Sequence, residues 1–205
     1  MLQEARSCAD WPSWKAAMDC EMEMLEKAIT WKPVIHPPGK NIVGCKWVFR
    51  IKHKANGSIK KYKVQLVACG FMQIHRVDYF KTYLPVAKLA SFCLILAIAA
   101  CHGWEVHVFD FNGTYLNGEL EGDKEIYMQQ LLGYKKGSPE WVMKLLKALY
   151  GLKQAGRRWY DVLLHVPKEL GFTVSTSNPG MFYTCLGKGS GPLDPKWQFV
   201  DCLVV

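Results

Sequence analysis

The sequence lacks the features that mark several classes of protein. Its longest apolar run, Leu89 to Cys101, is too short to span a membrane, and there is no low-complexity segment and no internal repeat. The N-terminus has no basic region followed by an apolar stretch, so no secretory signal is predicted. We therefore expect an intracellular protein, cytoplasmic or nuclear and not secreted, with no membrane partner.

Cysteine is present, but not in a pattern that indicates a metal site or a disulfide scaffold. The eight cysteines are scattered and none forms a CxxC pair. The closest two, Cys93 and Cys101, match neither a zinc-knuckle spacing nor a small disulfide framework. We expect reduced, mostly buried thiols and no zinc site.

Positive charge is in excess and unevenly spread. The formal net charge is +8, and seven of the cations fall between residues 46 and 63, interleaved with Trp47, Phe49 and Tyr62. A basic stretch with interleaved aromatic residues is typical of binding to a polyanion that also offers bases to stack on. A solvated hairpin with cationic outer positions explains the same pattern, and composition leaves both alternatives open.

Hydrophobic spacing predicts two helices in the first half of the chain. The first covers Ser13 to Ile29, with Ser13 as N-cap and a single apolar face. The second, Lys88 to His102, is apolar enough to be buried and should end at Gly103. The prolines between residues 33 and 38 predict an irregular extended connection.

A β-hairpin is predicted between these helices. Apolar and polar residues alternate from Cys45 to Lys52 and from Lys61 to Val67, on either side of Asn56-Gly57, a strong hairpin turn signal. On the second strand Lys61, Lys63 and Gln65 share one face. Later patterns predict strands over Trp104–Phe109, Met181–Leu186 and Trp197–Val205, and a mostly helical segment over Tyr150–Leu170 that contains Pro167.

The aspartate Asp110 lies in a segment that resembles a known motif. The segment WEVHVFDFNGTYLNGEL, Trp104 to Leu120, resembles the first catalytic palm motif of copia-type LTR-retrotransposon reverse transcriptases, with Asp110 six residues before Leu116-Asn117-Gly118. Further blocks follow in the order of that family and extend the resemblance over residues 14 to 205: Trp14–Trp31, Val43–Phe71, Asp78–Ser91, Glu125–Gln130, Leu145–Tyr160 and Glu169–Phe172.

The resemblance implies an α+β fold, the right-hand palm of a reverse transcriptase, in which an antiparallel sheet is backed by helices and a fingers hairpin is inserted early. We expect one partial reverse-transcriptase domain over residues 1–205, with the thumb missing. The fingers would occupy about residues 14–85. The palm, with or without part of the fingers, would occupy about residues 86–205.

The implied activity is that of an RNA-directed DNA polymerase. Nucleotidyl transfer uses two Mg²⁺ ions that clamp the attacking and leaving oxygens. The implied partners are an RNA template, a DNA primer and deoxynucleoside triphosphates. Asp110 and Asp201 would be the catalytic metal ligands, and we expect them on adjacent strands with their carboxylates close together.

The other site residues are also carried over from the family. Lys63 and position 65, here Gln65, would grip the triphosphate, and Tyr115 would lie under the sugar, although a core tyrosine is the alternative. Gln154 would help to position the nucleotide. The implied nucleic-acid contacts are Lys46, Arg50, Lys61, Lys153, Arg157 and Arg158. For Arg157 and Arg158 a solvated helix face remains an alternative.

This copy departs from the family pattern at several places. The paired aspartates of the second motif are broken, with either Val200 or Cys202 standing where an acid is expected, and the two alignments remain open. Gln65 replaces an arginine, Cys93 replaces another, and Leu131 and Leu132 replace prolines. We therefore expect a decayed, catalytically inactive copy. A residual polymerase and a non-catalytic nucleic-acid-binding or scaffold protein are the alternatives.

Overall fold

The computed structural model describes residues 2–108, 110–120, 125–135, 137–186 and 198–204, with the backbone alone at 185–186 and 198–204. The chain forms two compact units, Met1–Thr82 with Gly113–Trp159, and Tyr83–Asn112 with Tyr160–Val205. Both contain helices and strands, in agreement with the predicted α+β class. The chain passes from the first unit to the second after Thr82, close to the fingers boundary expected at about residue 85. Residues 113–159, which were expected in the palm region, belong to the first unit.

The first unit begins with helices α1 (Leu2–Ser7) and α2 (Trp11–Lys27). The predicted apolar face of α2 is confirmed, since four of its members are buried: Trp14, Met18, Met22 and Leu25. The predicted N-cap was wrong. The helix starts before Ser13, with Asp10 at the N-cap position and proline in the first turn, where its fixed φ is compatible with the helix.

The C-terminus of α2 has a Schellman arrangement in which isoleucine replaces the usual glycine. The Thr30 N–H donates to the Leu25 carbonyl at 3.1 Å, and the Ile29 N–H donates to the Glu26 carbonyl at 2.9 Å. Ile29 has a φ of 51°, which crowds a β-branched side chain against its own backbone. Because that side chain is 66% exposed, burial does not offset the strain.

Ile29→Gly is therefore expected to raise the free energy of unfolding by about 1 kcal/mol, since glycine adopts this conformation without the steric cost. Urea denaturation followed by circular dichroism measures the change. Ile35→Gly is the matched control, because Ile35 is equally exposed, at 68%, but lies in a strand. The control should lower stability; a loss of stability in Ile29→Gly as well would contradict the strain argument.

Four strands follow α2. Strands β1 (Trp31–Ile35) and β2 (Ile42–Val43) are short, and β3 (Cys45–His53) pairs antiparallel with β4 (Ile59–Ala68). Gly57 in the connecting turn has a φ of 81°, so the predicted hairpin is confirmed. The alternation along β4 is confirmed too, since Val64 and Leu66 are buried and the residues between them are not.

A four-stranded sheet completes the first unit. Strands β5 (Tyr127–Met128) and β6 (Trp141–Leu145) form this sheet together with β1 and β2. The strand order is β1-β6-β5-β2, and only the β2–β5 pairing is parallel. The prediction of an irregular connection was wrong for residues 33–35, which lie in β1. Pro33 is accommodated because β1 is an edge strand, where a missing backbone N–H is tolerated.

An exposed ion cluster links this sheet to the preceding loop. The Glu125 carboxylate pairs with Lys144, accepts a 2.7 Å hydrogen bond from the Tyr127 hydroxyl and lies 3.8 Å from the Lys40 ammonium. The hydrogen bond from Lys144 is the main cause that lowers the pKa of Glu125 from 4.5 to about 2. Ionised Glu125 therefore favours the folded state, and protonation removes that preference.

We expect the stability difference between the unaltered protein and Glu125→Gln to be pH-dependent. The carboxylate contribution should be complete above the unfolded-state pKa near 4.5 and should disappear as the pH falls towards 2. Urea midpoints of the two proteins at pH 7, 4 and 2.5 measure it. Glu140→Gln, an exposed glutamate in the same unit, is the control. A difference between the two urea midpoints that stays constant with pH would contradict a lowered pKa of Glu125 in the folded state.

The second unit contains helix α3 (Leu89–His102), which ends at Gly103 with a φ of 66°, as predicted. The prediction that this helix is buried was wrong. Of its residues only Ala99 is buried, and Leu89 and Leu94 are 75% and 60% exposed. The described helices and strands pack only weakly against α3, so most of its apolar surface is not covered by the described residues.

Helix α4 (Ala155–Glu169) follows, with Pro167 in its last turn, and starts five residues later than predicted. Strands β7 (Thr173–Val174), β8 (Met181–Leu186) and β9 (Gln198–Val204) form an antiparallel sheet in chain order. The two strands predicted at the end of the chain are confirmed over the residues that the structure describes. Phe182 of β8 is fully buried.

The strand predicted over Trp104–Phe109 is absent from the part of it that the structure describes, residues 104–108. The apolar side chains of this segment are not covered by the described residues, since Val106 and Val108 are 57% and 93% exposed. Asp110 consequently does not follow a strand, and the described partner of β9 is β8. The predicted placement of Asp110 and Asp201 on adjacent strands is not found among the described residues.

Two further expectations concern the surface. The six cysteines whose side chains are described are free thiols, but four of them are exposed and the other two are half-buried, so the expectation of mostly buried thiols was wrong for these: Cys8, Cys20, Cys45, Cys69, Cys93 and Cys101. Separately, within the described part of the chain no helix combines the length and the apolar composition that crossing a membrane requires.

Candidate nucleic-acid interface

One face of the β3–β4 hairpin is built from cations. Arg50 lies directly opposite Lys63, and Lys52 lies directly opposite Lys61. Lys46 precedes them on the same face of β3, since side chains two residues apart point the same way. Like charges directly opposite one another destabilise a sheet. We call the five residues Lys46, Arg50, Lys52, Lys61 and Lys63 the cation face.

The opposite face of the hairpin holds the cation face in place. Trp47, Val64 and Leu66 are buried in the core of the first unit. Trp14 of α2 lies edge-on to Phe49 and Tyr62, at ring-centroid distances of 5.3 and 4.6 Å. Because these aromatic contacts fix one side of the hairpin against α2, the charged side chains must emerge on the other side.

Among the described residues, little neutralises the cation face. Arg50, Lys52 and Lys61 have no carboxylate in ion-pair range among the residues that the structure describes, and Lys46, Arg50, Lys52 and Lys61 are exposed. Lys63 is half-buried and lies within electrostatic range of Glu21. A polyanion that bound here would relieve the repulsion between the opposed cations, which have no acidic partners to do so.

A polar and aromatic cluster lies beside the cation face. The Tyr150 hydroxyl lies near the Gln65 and Thr114 side chains, both of which act to lower its pKa, and its ring lies 4.6 Å from that of Tyr115 in an edge-on arrangement. Burial raises the pKa of the Tyr150 hydroxyl, and the nearby Tyr115 acts in the same direction. The structure thus brings together Gln65 and Tyr115, two residues predicted from the sequence, through Tyr150, which was not predicted.

Glu21 on α2 is a second residue that sequence reasoning missed. Its carboxylate accepts the Leu66 N–H at 3.2 Å, and burial raises its pKa, while that hydrogen bond and the Lys63 ammonium act in the opposite direction. Leu66 is on β4, whose outer edge would otherwise leave this N–H unpaired. The only signal in the sequence was a charged residue next to the apolar face of α2.

Gln154, predicted to help position the nucleotide, is buried in a network of its own. It is 6% exposed, its Oε1 accepts from the Gln73 side chain at 3.1 Å, and its Nε2 donates to the Asp78 carbonyl at 3.1 Å. The Gln73 Oε1 in turn accepts the backbone N–H of Lys153 at 2.7 Å. In this arrangement Gln154 connects the segment after β4 to the start of α4, and its contact with a nucleotide stays a prediction.

The remaining cations predicted to bind nucleic acid lie at the start of α4. Lys153 is exposed, and Arg157 and Arg158 are half-buried. Gly118, from the Leu-Asn-Gly block, packs against this turn so closely that a Cβ would lie 3.0 Å from the Arg158 Cβ. The close packing fixes the first turn of α4 on the segment that carries Tyr115.

Of the two predicted metal ligands, Asp110 is described in full and Asp201 only by its backbone. Asp110 is exposed in the second unit, and Asp201 pairs through its backbone with Thr184, its side chain lying outside the described residues. Within the described part of the chain no three acidic, histidine or cysteine side chains come together as a metal site. Asp201 is the only acid of β9. A two-metal centre needs several converging carboxylates, and the described side chains do not bring them together.

Comparison with known proteins gives the family. Residues 28–194 match the family model described as reverse transcriptase (RNA-dependent DNA polymerase). No solved structure matches the chain.

Several of the similar curated proteins are retrotransposon polyproteins. The chain is 40% identical to the Retrovirus-related Pol polyprotein from transposon RE1 of Arabidopsis thaliana over 85% of its own length and 12% of that protein. It is 38% identical to the corresponding polyprotein from transposon TNT 1-94 of Nicotiana tabacum, over 89% of its length and 14% of that protein. The chain thus spans about an eighth of these relatives. It belongs to the reverse transcriptase (RNA-dependent DNA polymerase) family, in the form found in Pol polyproteins of copia-type transposons.

Proposed function

We propose that this chain is the fingers and part of the palm of a retrotransposon RNA-directed DNA polymerase that still binds nucleic acid but no longer polymerises DNA. The observation that carries the binding half is the cation face, in which Arg50 opposes Lys63 and Lys52 opposes Lys61. Such opposition costs stability in the free protein. A sugar–phosphate backbone laid along the hairpin would neutralise both pairs at once.

The geometry gives each residue a role in this proposal. Lys46, Arg50, Lys52 and Lys61 contact backbone phosphates, and the half-buried Lys63, next to the polar cluster, meets the terminal phosphates of a nucleotide. Tyr115, held edge-on by Tyr150, offers a flat ring to a sugar or base. Lys153 and Arg157 extend the positive surface at the start of α4. Template RNA, primer DNA and deoxynucleoside triphosphates are the proposed ligands.

The inactive half of the proposal rests on chemistry that the chain has lost. Mg²⁺ would supply charge neutralisation at the transferred phosphate if it were bound, and Asp110 and Asp201 are its candidate ligands. With Val200 and Cys202 on either side of Asp201, one carboxylate of the family pattern is missing. Gln65 is neutral, so it cannot make the bidentate, charge-assisted phosphate contact of an arginine.

A salt titration tests the binding half. Fluorescence anisotropy with a short RNA–DNA hybrid should show affinity that falls steeply with salt, with a log–log slope of about −3 or steeper, because each neutralised phosphate releases close to one counterion. A flat response, or no binding at low salt, would reduce the cation face to a solvated hairpin. Binding without primer extension is the result expected from the proposal, whereas extension would favour the alternative of a residual polymerase.

A further inference from the structure

Glu21 is a titratable group that the proposed function leaves without a role. It is one of the acids of α2, but unlike the exposed Glu23 it is half-buried and faces β4. The helix runs along β4, with Trp14 against Tyr62 and the Glu21 carboxylate against the Leu66 N–H. Lys63 and Gln65 lie between these two contact points.

A half-buried carboxylate at this place needs a compensating charge. Among the described residues the Leu66 N–H donates to it at 3.2 Å, and the Lys63 ammonium, which lies beyond ion-pair distance, acts on its pKa electrostatically. Tyr150 also lies within electrostatic range but contributes a dipole instead of a charge. Lys63 differs accordingly from Lys60 and Lys61 on the same strand, since it is half-buried and they are exposed.

We propose that Glu21 is a positioning residue that holds the Lys63 ammonium back from phosphate and so sets how tightly the hairpin binds a polyanion. The inference rests on the proposed function, because it assigns Lys63 to phosphate binding. An ammonium attracted by a carboxylate must give up part of that attraction before it can contact a phosphate oxygen. This competition weakens binding, and it depends on the negative charge of Glu21.

Glu21→Gln tests the inference without removing the contact to β4, because the amide oxygen can still accept the Leu66 N–H. The variant should bind the RNA–DNA hybrid, and separately inorganic triphosphate, about threefold to tenfold more tightly than the unaltered protein at pH 7.5. Glu23→Gln is the matched control, since it removes the same charge from an exposed position on the same helix, where Glu23 pairs with Lys27. It should change affinity less than twofold.

A double-mutant cycle separates restraint of Lys63 from a general loss of negative charge. In a Lys63→Met background, Glu21→Gln should alter the affinity for either probe by less than about twofold. Equal tightening with and without Lys63, or weaker binding by Glu21→Gln, would overturn the inference. Circular dichroism melting of all four proteins checks that they remain folded.

A second readout does not depend on nucleic acid. In a carbon-detected NMR titration of the glutamate side chains, Lys63→Met should raise the pKa of Glu21 further, because the ammonium that lowers it is gone, and Lys61→Met should leave it unchanged. An unchanged pKa in Lys63→Met would overturn the inference. If no variant binds the hybrid but the triphosphate cycle behaves as expected, the proposed function fails and the restraint of Lys63 by Glu21 stands.

Discussion

Arg50→Glu combined with Lys61→Glu is expected to weaken binding of an RNA–DNA hybrid at least about 100-fold at 100 mM salt, because four units of charge change at the centre of the interface. The same variant should be more stable than the unaltered protein. Each substitution converts a directly opposed like-charge pair of the hairpin into an opposite-charge pair, and such pairs contribute roughly 0.2–1 kcal/mol each. If the cation face serves to bind a polyanion, the double variant should lose affinity and gain stability.

Anisotropy titrations and urea denaturation measure the two effects. Lys32→Glu combined with Lys135→Glu is the control, since both lysines are exposed in the same unit but outside the hairpin. Either double variant has a net charge of +4, from the initial +8 less four units. Equal losses of affinity in the two variants would show that net charge, and not the cation face, governs binding.

Gly151→Ala is expected to destabilise the first unit by at least about 3 kcal/mol. Gly151 has a φ of 90°, and a Cβ there would lie 2.1 Å from the Ala68 carbonyl oxygen and 2.7 Å from the Val67 Cγ1. The backbones already touch at this place, because the Ala68 N–H donates to the Tyr150 carbonyl at 2.7 Å. The methyl group must therefore push the end of β4 away from the turn that carries Tyr150.

Gly39→Ala separates the clash from the conformational cost. Gly39 also has a positive φ, 74°, but no atom lies within 4 Å of a Cβ built there, so only the left-handed penalty of about 1–2 kcal/mol applies. Chemical denaturation of both variants measures the difference. If the two alanines cost the same, the close approach of β4 and the Tyr150 turn is not important for stability.

The sequence was sufficient to predict the hairpin and the apolar face of α2, because both patterns are local. The turn at Asn56-Gly57 and the alternation around it specify which side chains share a face, and this determines the cation face. The four-stranded sheet was missed for the opposite reason. Strands β2 and β5 have two residues each, too few for a periodic signal, and Pro33 in β1 argued against a strand.

The candidate site could be predicted only where a residue belongs to a recognisable block. Lys63, Gln65 and Tyr115 were predicted in that way, and their roles in binding stay predictions. Glu21, Thr114 and Tyr150 were missed because their roles arise from contacts between α2, β4 and the turn before α4, which are far apart in the sequence. The buried position of Gln154 could not be foreseen either, since its partners Gln73 and Asp78 are about 80 residues away along the chain.

Helix α3 shows a further limit of local patterns. Its apolar composition and its end at Gly103 predicted the helix correctly, but burial depends on a surface supplied by other segments. Among the described residues that surface is small, and Leu89, Leu94 and Phe92 remain exposed. The strand predicted over residues 104–109 failed for the same reason, because alternation yields a strand only where a neighbouring strand completes its hydrogen bonds.

We propose that this chain belongs to the reverse transcriptase family by sequence but lacks polymerase activity, and a primer-extension assay tests this proposal most directly. The purified protein is incubated with poly(rA)–oligo(dT), deoxythymidine triphosphate and either Mg²⁺ or Mn²⁺, with an intact reverse transcriptase as positive control. We predict no extended primer with either metal, because the loss of a metal ligand and of a phosphate-binding cation removes several kcal/mol of transition-state stabilisation. Robust extension by the unaltered chain would contradict the account.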